Sequence, residues 1–108
     1  MQKKSLKNIK VPAATKVAGK EKYILKLFVT GNLPNSSRAI ININAICKQH
    51  LKGRHQLEII DIYQQPAMAL KEDIIAVPVL IKKFPFPEER IIGDLSDTEK
   101  VLQALQLI

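Results

Sequence analysis

A chain of 108 residues, 46% hydrophobic and 25% charged, has room for one globular domain with one core and none for a second. No apolar run approaches the roughly 20 residues that cross a bilayer, and the lysine-rich start lacks the continuous apolar stretch of a secretory signal, so a cytoplasmic protein without a membrane partner is expected. The formal charge of +7 is concentrated: residues 1–22 hold seven lysines (Lys3, Lys4, Lys7, Lys10, Lys16, Lys20, Lys22) against Glu21, a balance of +6 that leaves the rest of the chain at +1.

A basic extension on a nearly neutral fold predicts salt-sensitive, nonspecific attraction to anions and offers no basic face for reading a duplex, so no specific nucleic acid is expected. Residues 1–22 are therefore read as a solvated, disordered extension, with an arm docking on acidic protein, RNA or anionic lipid as the alternative. Residues 23–108 are read as the folded domain.

The first element there is "YILKLFV", whose β-branched, aromatic and leucine residues with one interior lysine suit an almost fully buried strand. Gly31 and Asn32 end it. Pro34 suits the first turn of a helix, and Ala39, Ile40, Ile43, Ile46, Cys47 and Leu51 follow at helical spacing until Gly53 closes the segment. "QLEIIDI" over 56–62 reads as a second strand, and Pro66 opens a short helix to Lys71 or Glu72. Pro78 interrupts any amide ladder, so the third strand is expected to begin at or just beyond it. "FPFPEE" reads as a turn, "RIIG" as a partner strand, and "LSDTEKVLQALQLI" as a final helix in which Ser96 and Glu99 have the spacing of a capping box. The order βαβαββα predicts a four-stranded mixed α/β sheet, the first two strands parallel, the last two an antiparallel hairpin, with helices on both faces.

Cys47 is the only cysteine, which excludes an intramolecular disulfide, a Cys-x-x-Cys couple and a multi-cysteine zinc site; its position on the apolar side of the helix makes it a core residue. His50 and His55 alone make a poor metal site, and neither metal nor cofactor is expected. Gly31, Asn32, Pro34 and Asn35 read first as shapers of a turn. Asp94 and Asp97 read as negative charge at a helix start rather than as a paired-carboxylate site.

The βαβαββα order resembles a thioredoxin-like fold, with specific anchors. In glutaredoxin-like members a Cys-Pro-x-Cys follows the first strand, with a small residue three positions beyond the second cysteine; "LPNSSRA" keeps the proline and alanine spacing, but Leu33 stands at the nucleophile's position and Ser36 at the resolving one. Val77-Pro78 resembles the family's x-Pro bond, usually cis. Thiol exchange needs a thiolate to attack and a second thiol to resolve, so a loop of this shape without sulfur points to binding rather than electron transfer. A thioredoxin-like redox or thiol-binding protein remains the runner-up, and nucleic-acid binding through the basic extension a third reading.

A narrower resemblance, to the KaiB family, rests on "LKLFVTGNLPNSSRA" (25–39), "IIDIYQQP" (59–66), "EDIIAVPVL" (72–80) and "RIIGDLSDTEKVL" (90–102), in order and at compatible spacing. It implies a non-enzymatic regulatory protein. The implied partner is a KaiC-like ATPase, a hexameric ring of RecA-like modules, with a KaiA-like protein or a sensor kinase carrying a similar domain as further partners, in circadian timing or a related stress response. Lys82, Lys83 and Arg90 follow the part of the chain that the family uses against its ring partner and are the implied contact residues, while Arg38 reads as a solvated residue of the first helix with a partner contact as the alternative. The family's three-proline turn is Pro85-Phe86-Pro87 here, followed by Glu88 and Glu89, and the lysine-rich N-terminal segment is extra. The resemblance also implies fold switching between the monomeric thioredoxin-like state and a βαββααβ ground state, commonly tetrameric. Because family members commonly have Gly and Asp where this chain has Ala104 and Gln106, a favoured final helix through "EKVLQALQLI" (99–108) is expected, with Val101, Leu102, Leu105 and Ile108 as its apolar stripe. The thioredoxin-like state, as a monomer or dimer, is thus the expected one.

Overall fold

A computed structural model of the chain describes residues 22–108; apart from Lys22, the expected N-terminal extension lies outside the described residues. The elements in chain order are β1 (Tyr23–Val29), α1 (Pro34–His50), β2 (His55–Asp61), α2 (Pro66–Lys71), β3 (Val79–Phe84), β4 (Glu89–Ile92) and α3 (Thr98–Ala104). They form one four-stranded mixed sheet in the order β2-β1-β3-β4. Strand β1 runs parallel to β2, with Tyr23 opposite His55 and Val29 opposite Asp61, and antiparallel to β3, with Phe28 opposite Val79. The β3–β4 hairpin is antiparallel, as its short connection requires.

Side chains alternate across a strand, so β1 feeds two cores. Tyr23, Leu25, Leu27 and Val29 pack with Ala39, Ile43, Ile46 and Cys47 of α1 and Val101, Leu102 and Leu105 of the C-terminal segment. Phe28, on the opposite face, joins Ile60, Val79 and Ile81 beneath Met68 of α2 and Ile74. Helices thus cover both faces, and the fold is the thioredoxin-like βαβαββα rather than βαββααβ.

Boundaries follow local chemistry. Pro34 occupies the first turn of α1, where a missing amide costs little. The helix stops before Gly53, whose φ of 77° is a left-handed value that glycine adopts without a side-chain penalty. Strand β3 begins just past Pro78, as the missing amide demands. The Val77-Pro78 bond is cis, as are Phe84-Pro85 and Phe86-Pro87.

The C-terminal segment departs from expectation at three places. The Asp97 carboxylate, not Ser96, caps α3 by accepting the Lys100 backbone N–H at 3.2 Å. The reason lies one turn earlier: Asp94 Oδ1 accepts the Ser96 N–H at 3.0 Å, drawing Ser96 into a separate turn. The helix also ends at Ala104. Gln106 has φ 61°, its N–H donates to the Gln103 carbonyl at 3.0 Å, and the Leu107 N–H reaches back to the Leu102 carbonyl at 2.8 Å. That pair of bonds is a Schellman closure with Gln106 at the left-handed position. Gln106 is therefore not a helix-interior residue, and Ala104 is the last helical one. Beyond the closure Ile108 is exposed and leaves the apolar stripe, while Val101, Leu102 and Leu105 stay buried.

Candidate functional site

The turn after β1 carries the residues that replace a dithiol. Gly31 takes φ 48°, and the Leu33 N–H closes on the Thr30 carbonyl at 3.4 Å, which aims the chain into α1. Leu33 is the residue before the helix, with extended backbone, and its side chain is 56% exposed. Ser36, three positions on, is 1% exposed, and its Oγ accepts the Thr30 N–H at 3.0 Å. An outward side chain followed by an inward one is the disposition that the Cys-Pro-x-Cys comparison calls for. Together with Thr30, Pro34, Asn35, Val77 and Pro78 they line an open cavity of 290 Å³. Asn32 sits exposed beside it.

No thiol reaches this cavity. Cys47 is buried on the inner face of α1, and burial pushes its thiol up to about 11, so little thiolate exists near neutral pH. The cavity can receive an apolar or hydrogen-bonding group, but its side chains offer no nucleophile stronger than a hydroxyl.

Arg38 faces outward from α1. Its Nε donates to Asp94 Oδ2 at 3.1 Å and its Nη2 to Asn35 Oδ1, while Asn42 Nδ2 donates to the Asp94 carbonyl at 2.8 Å. Hydrogen bonds from Ser96, then from Arg38, hold the Asp94 carboxyl below its ordinary value. These bonds fasten the β4–α3 loop to α1 and leave part of the guanidinium exposed.

Lys83 and Arg90 meet elsewhere, around Glu72 at the end of α2. Lys83 Nζ lies 3.0 Å from Glu72 Oε1 and 3.2 Å from Glu88 Oε1, and Lys26 Nζ lies 3.6 Å from Glu72 Oε2. Arg90 donates to the Glu72 carbonyl at 2.6 Å and the Asp73 carbonyl at 3.4 Å, with its guanidinium 3.7 Å from Glu88. Burial works to raise the Glu72 carboxyl, but the Lys83 hydrogen bond and the charges of Lys83 and Lys26 outweigh it and hold it below the ordinary range. Lys83 is raised in turn, mainly by its hydrogen bond to Glu72. The cluster ties β1, α2, β3 and β4 together.

Lys82 belongs to neither group, which corrects its expected role as a surface contact. It is 0% exposed, opposite Leu25 on the face that α1 and α3 cover, and its Nζ donates to Gln106 Oε1 at 3.5 Å under the end of α3. Alternation from buried Leu80 puts Lys82 inward and Lys83 on the α2 side. Glu72 and Lys26 were the residues that sequence reasoning missed; a lysine inside an otherwise apolar strand was the available signal, since a half-buried ammonium needs a carboxylate. Among the described residues no group of three or more His, Cys, Asp or Glu side chains converges to hold a metal ion. None of their helices is long and apolar enough to cross a membrane.

Residues 26–107 match the family model for the KaiB domain. The chain is 48% identical over 92 residues to the circadian clock oscillator protein KaiB of Prochlorococcus marinus strain MIT 9312, covering 85% of this chain and 88% of that relative. Among solved structures, the N-terminal domain of Synechococcus elongatus SasA superposes with a TM-score of 0.65 at 22% identity, over 90% of this chain and 95% of that one. The germline-specific thioredoxin Deadhead of Drosophila melanogaster does so with a TM-score of 0.65 at 10% identity, over 84% and 86%. At such identities these two likenesses establish the thioredoxin-like fold alone. The family model, which spans the β1–α1 turn, the Val77-Pro78 loop and α3, and the relative at 48% identity go further: the chain belongs to the KaiB family.

Proposed function

We propose that this protein is a non-catalytic, KaiB-type regulatory component that binds a KaiC-type RecA-like ATPase ring in the cytoplasm, in circadian timing or a related stress pathway. The observation that carries this reading is the exposed Leu33 before α1 with the buried Ser36 behind it, in a chain of the KaiB family: a redox-site geometry whose surface is apolar and hydroxylic. Relatives named circadian clock oscillator proteins support a clock role. Catalysis then lies with the ring.

In this reading the partner meets the end of the sheet that carries Leu33 and the flank that carries Lys83 and Arg90, with Arg38 as a further charged contact. Lys82 is withdrawn from the contact set. Residues 1–22 form an appendage to the domain of residues 23–108, and a KaiA-like protein or a sensor kinase competes for or joins the complex.

The test is co-elution. Purified protein and the KaiC-type ATPase of the same organism, with ATP or ADP, are run on a size-exclusion column. A shared peak with at least one nucleotide is expected, and separate peaks under every nucleotide condition overturn the proposal. Reduction of insulin or glutathione disulfide above background would instead favour the redox reading.

A further inference from the structure

Two carboxylates serve the same pair of cations on the flank of the sheet, and they differ in kind. Glu72 is held fast: its side chain is 10% exposed and takes Lys26 from β1, Lys83 from β3 and Arg90 from β4. Glu88, on the turn between β3 and β4, is 39% exposed, and its oxygens divide between the same Lys83, 3.2 Å from Oε1, and the same Arg90, 3.7 Å from Oε2. With Glu88 swung into water, Lys83 keeps Glu72 and Arg90 keeps the Glu72 and Asp73 carbonyls, so the fold loses only an exposed pairing, a weak contributor to stability. Glu72 is structural; Glu88 is exchangeable.

What Glu88 covers is a pair of cations spaced for one carboxylate, next to an apolar platform. Phe86, on the same turn, is 75% exposed and rests edge-on against Phe84, with ring centroids 5.6 Å apart. An incoming carboxylate with an apolar neighbour can replace Glu88 on Lys83 and Arg90 and lay that neighbour on Phe86. A polyanion such as nucleic acid fits poorly, because Glu72 and the adjoining Asp73 keep negative charge at the same place. The chemistry is that of a protein segment both acidic and apolar.

We propose that Glu88 is an intramolecular stand-in for a carboxylate of the partner, an autoinhibitory contact that keeps Lys83 and Arg90 occupied until such a segment displaces it. The inference rests on the proposed function in taking this flank as a contact surface. A tethered competitor lowers apparent affinity according to the fraction of time it holds the cations, and it turns away anions that bind less well than Glu88 itself.

The test follows the amides of residues 83–90 in the isotope-labelled full chain, at about 0.1 M salt, as a capped tetrapeptide of alternating leucine and glutamate is added. Glu88→Gln should bind the peptide about threefold more tightly than the natural chain. Adding Lys83→Met to it should abolish the gain. Glu99→Gln, which removes the same charge from α3 on the opposite face, should change nothing. Glu88→Gln should also lower Tm far less than Glu72→Gln. Equal or undetectable binding by the natural chain and Glu88→Gln overturns the inference, as does an equal gain from Glu99→Gln. So does a loss of Tm from Glu88→Gln that matches Glu72→Gln, or inorganic phosphate moving the same amides more strongly than the peptide. No ATPase enters this test, so its failure leaves the proposed function standing; separate peaks with the ATPase beside a threefold gain with the peptide would sink that function and leave the exchange at Glu88 intact.

Discussion

The Lys83 ammonium lies 3.0 Å from the Glu72 carboxylate and joins β3 to the end of α2, where Lys26 and Arg90 close on the same residue. Glu72 is held below its ordinary value of 4.5, so the stability it contributes is fully present above that pH. It is lost as pH falls through the depressed folded-state value. Lys83 acts in the opposite sense: its raised value adds stability below 10.5 that is lost as pH rises through the folded-state value. Glu72→Gln should cost about 2 kcal/mol at neutral pH, the scale of a charged hydrogen bond in a mostly buried site. It should also flatten the acid limb of a stability profile measured by urea denaturation between pH 5 and pH 2. An unchanged acid limb would place the acid sensitivity in other carboxylates.

Lys82 and Lys83 should respond oppositely to substitution although they are neighbours. Lys82→Met keeps the volume of a fully buried side chain and removes an amine from beneath α3, so stability should stay within about 1 kcal/mol. Lys82→Glu should prevent folding, because it buries a carboxylate among Leu25, Leu80 and the end of the C-terminal helix. Lys83→Met, in contrast, should cost stability through Glu72 and, under the proposed function, also weaken capture of a KaiC-type ATPase. Circular dichroism melts with a parallel binding titration separate these effects.

Restoring sulfur tests whether the β1–α1 turn has kept the geometry of thiol exchange. In the double variant Leu33→Cys with Ser36→Cys, the first thiol is exposed at the start of α1 and the second is buried behind it. The helix N-terminus favours the thiolate at position 33. The variant should form an intramolecular disulfide under mild oxidant, seen as two thiols lost to titration while Cys47 stays protected, and should reduce insulin above the background of the natural chain. Failure to close the disulfide would mean that the turn has drifted from the dithiol geometry.

What was legible in the sequence was whatever depends on near neighbours. Pro34, Gly53 and Pro78 act on their own backbone, so their helix start, helix end and strand start could be read locally. The apolar runs 23–29 and 79–81 likewise announced central strands. The β3 lysines were harder: "KK" looks the same at either position, and only counting inward from Leu80 shows that Lys82 faces the helices. Glu72 gave no local sign, because its partners come from β1, β3 and β4. Ser96 satisfied the capping-box spacing, yet lost the role once Asp94 captured its amide. Gln106 misled for a related reason: helical spacing continued through it, while the closure bonds from Gln106 and Leu107 are features of folded backbone.

That closure removes the expected effect of one of the two C-terminal substitutions, Gln106→Asp, and gives glycine the advantage at that position. Gln106 holds φ 61°, where a residue with a β-carbon is strained and glycine is not. Gln106→Gly should therefore stabilise the helical C-terminus by about 1 kcal/mol, less a small loss from the long 3.5 Å contact with Lys82. For a domain of this size that is a rise of about 4–8 °C in Tm. Gln106→Asp should be close to neutral, since aspartate tolerates the left-handed region better than most side chains. Ala104→Gly acts on the last helical residue, just before the closure, and should cost up to about 1 kcal/mol. The double change Ala104→Gly with Gln106→Gly should then lie near the natural chain, and thermal melts of the three variants decide it. A fall in Tm for Gln106→Gly as large as that for Ala104→Gly would mean that the helix runs through position 106 in solution. If Gln106→Gly instead raises Tm and also speeds capture of the proposed ATPase partner, the closed C-terminus is the state that binds.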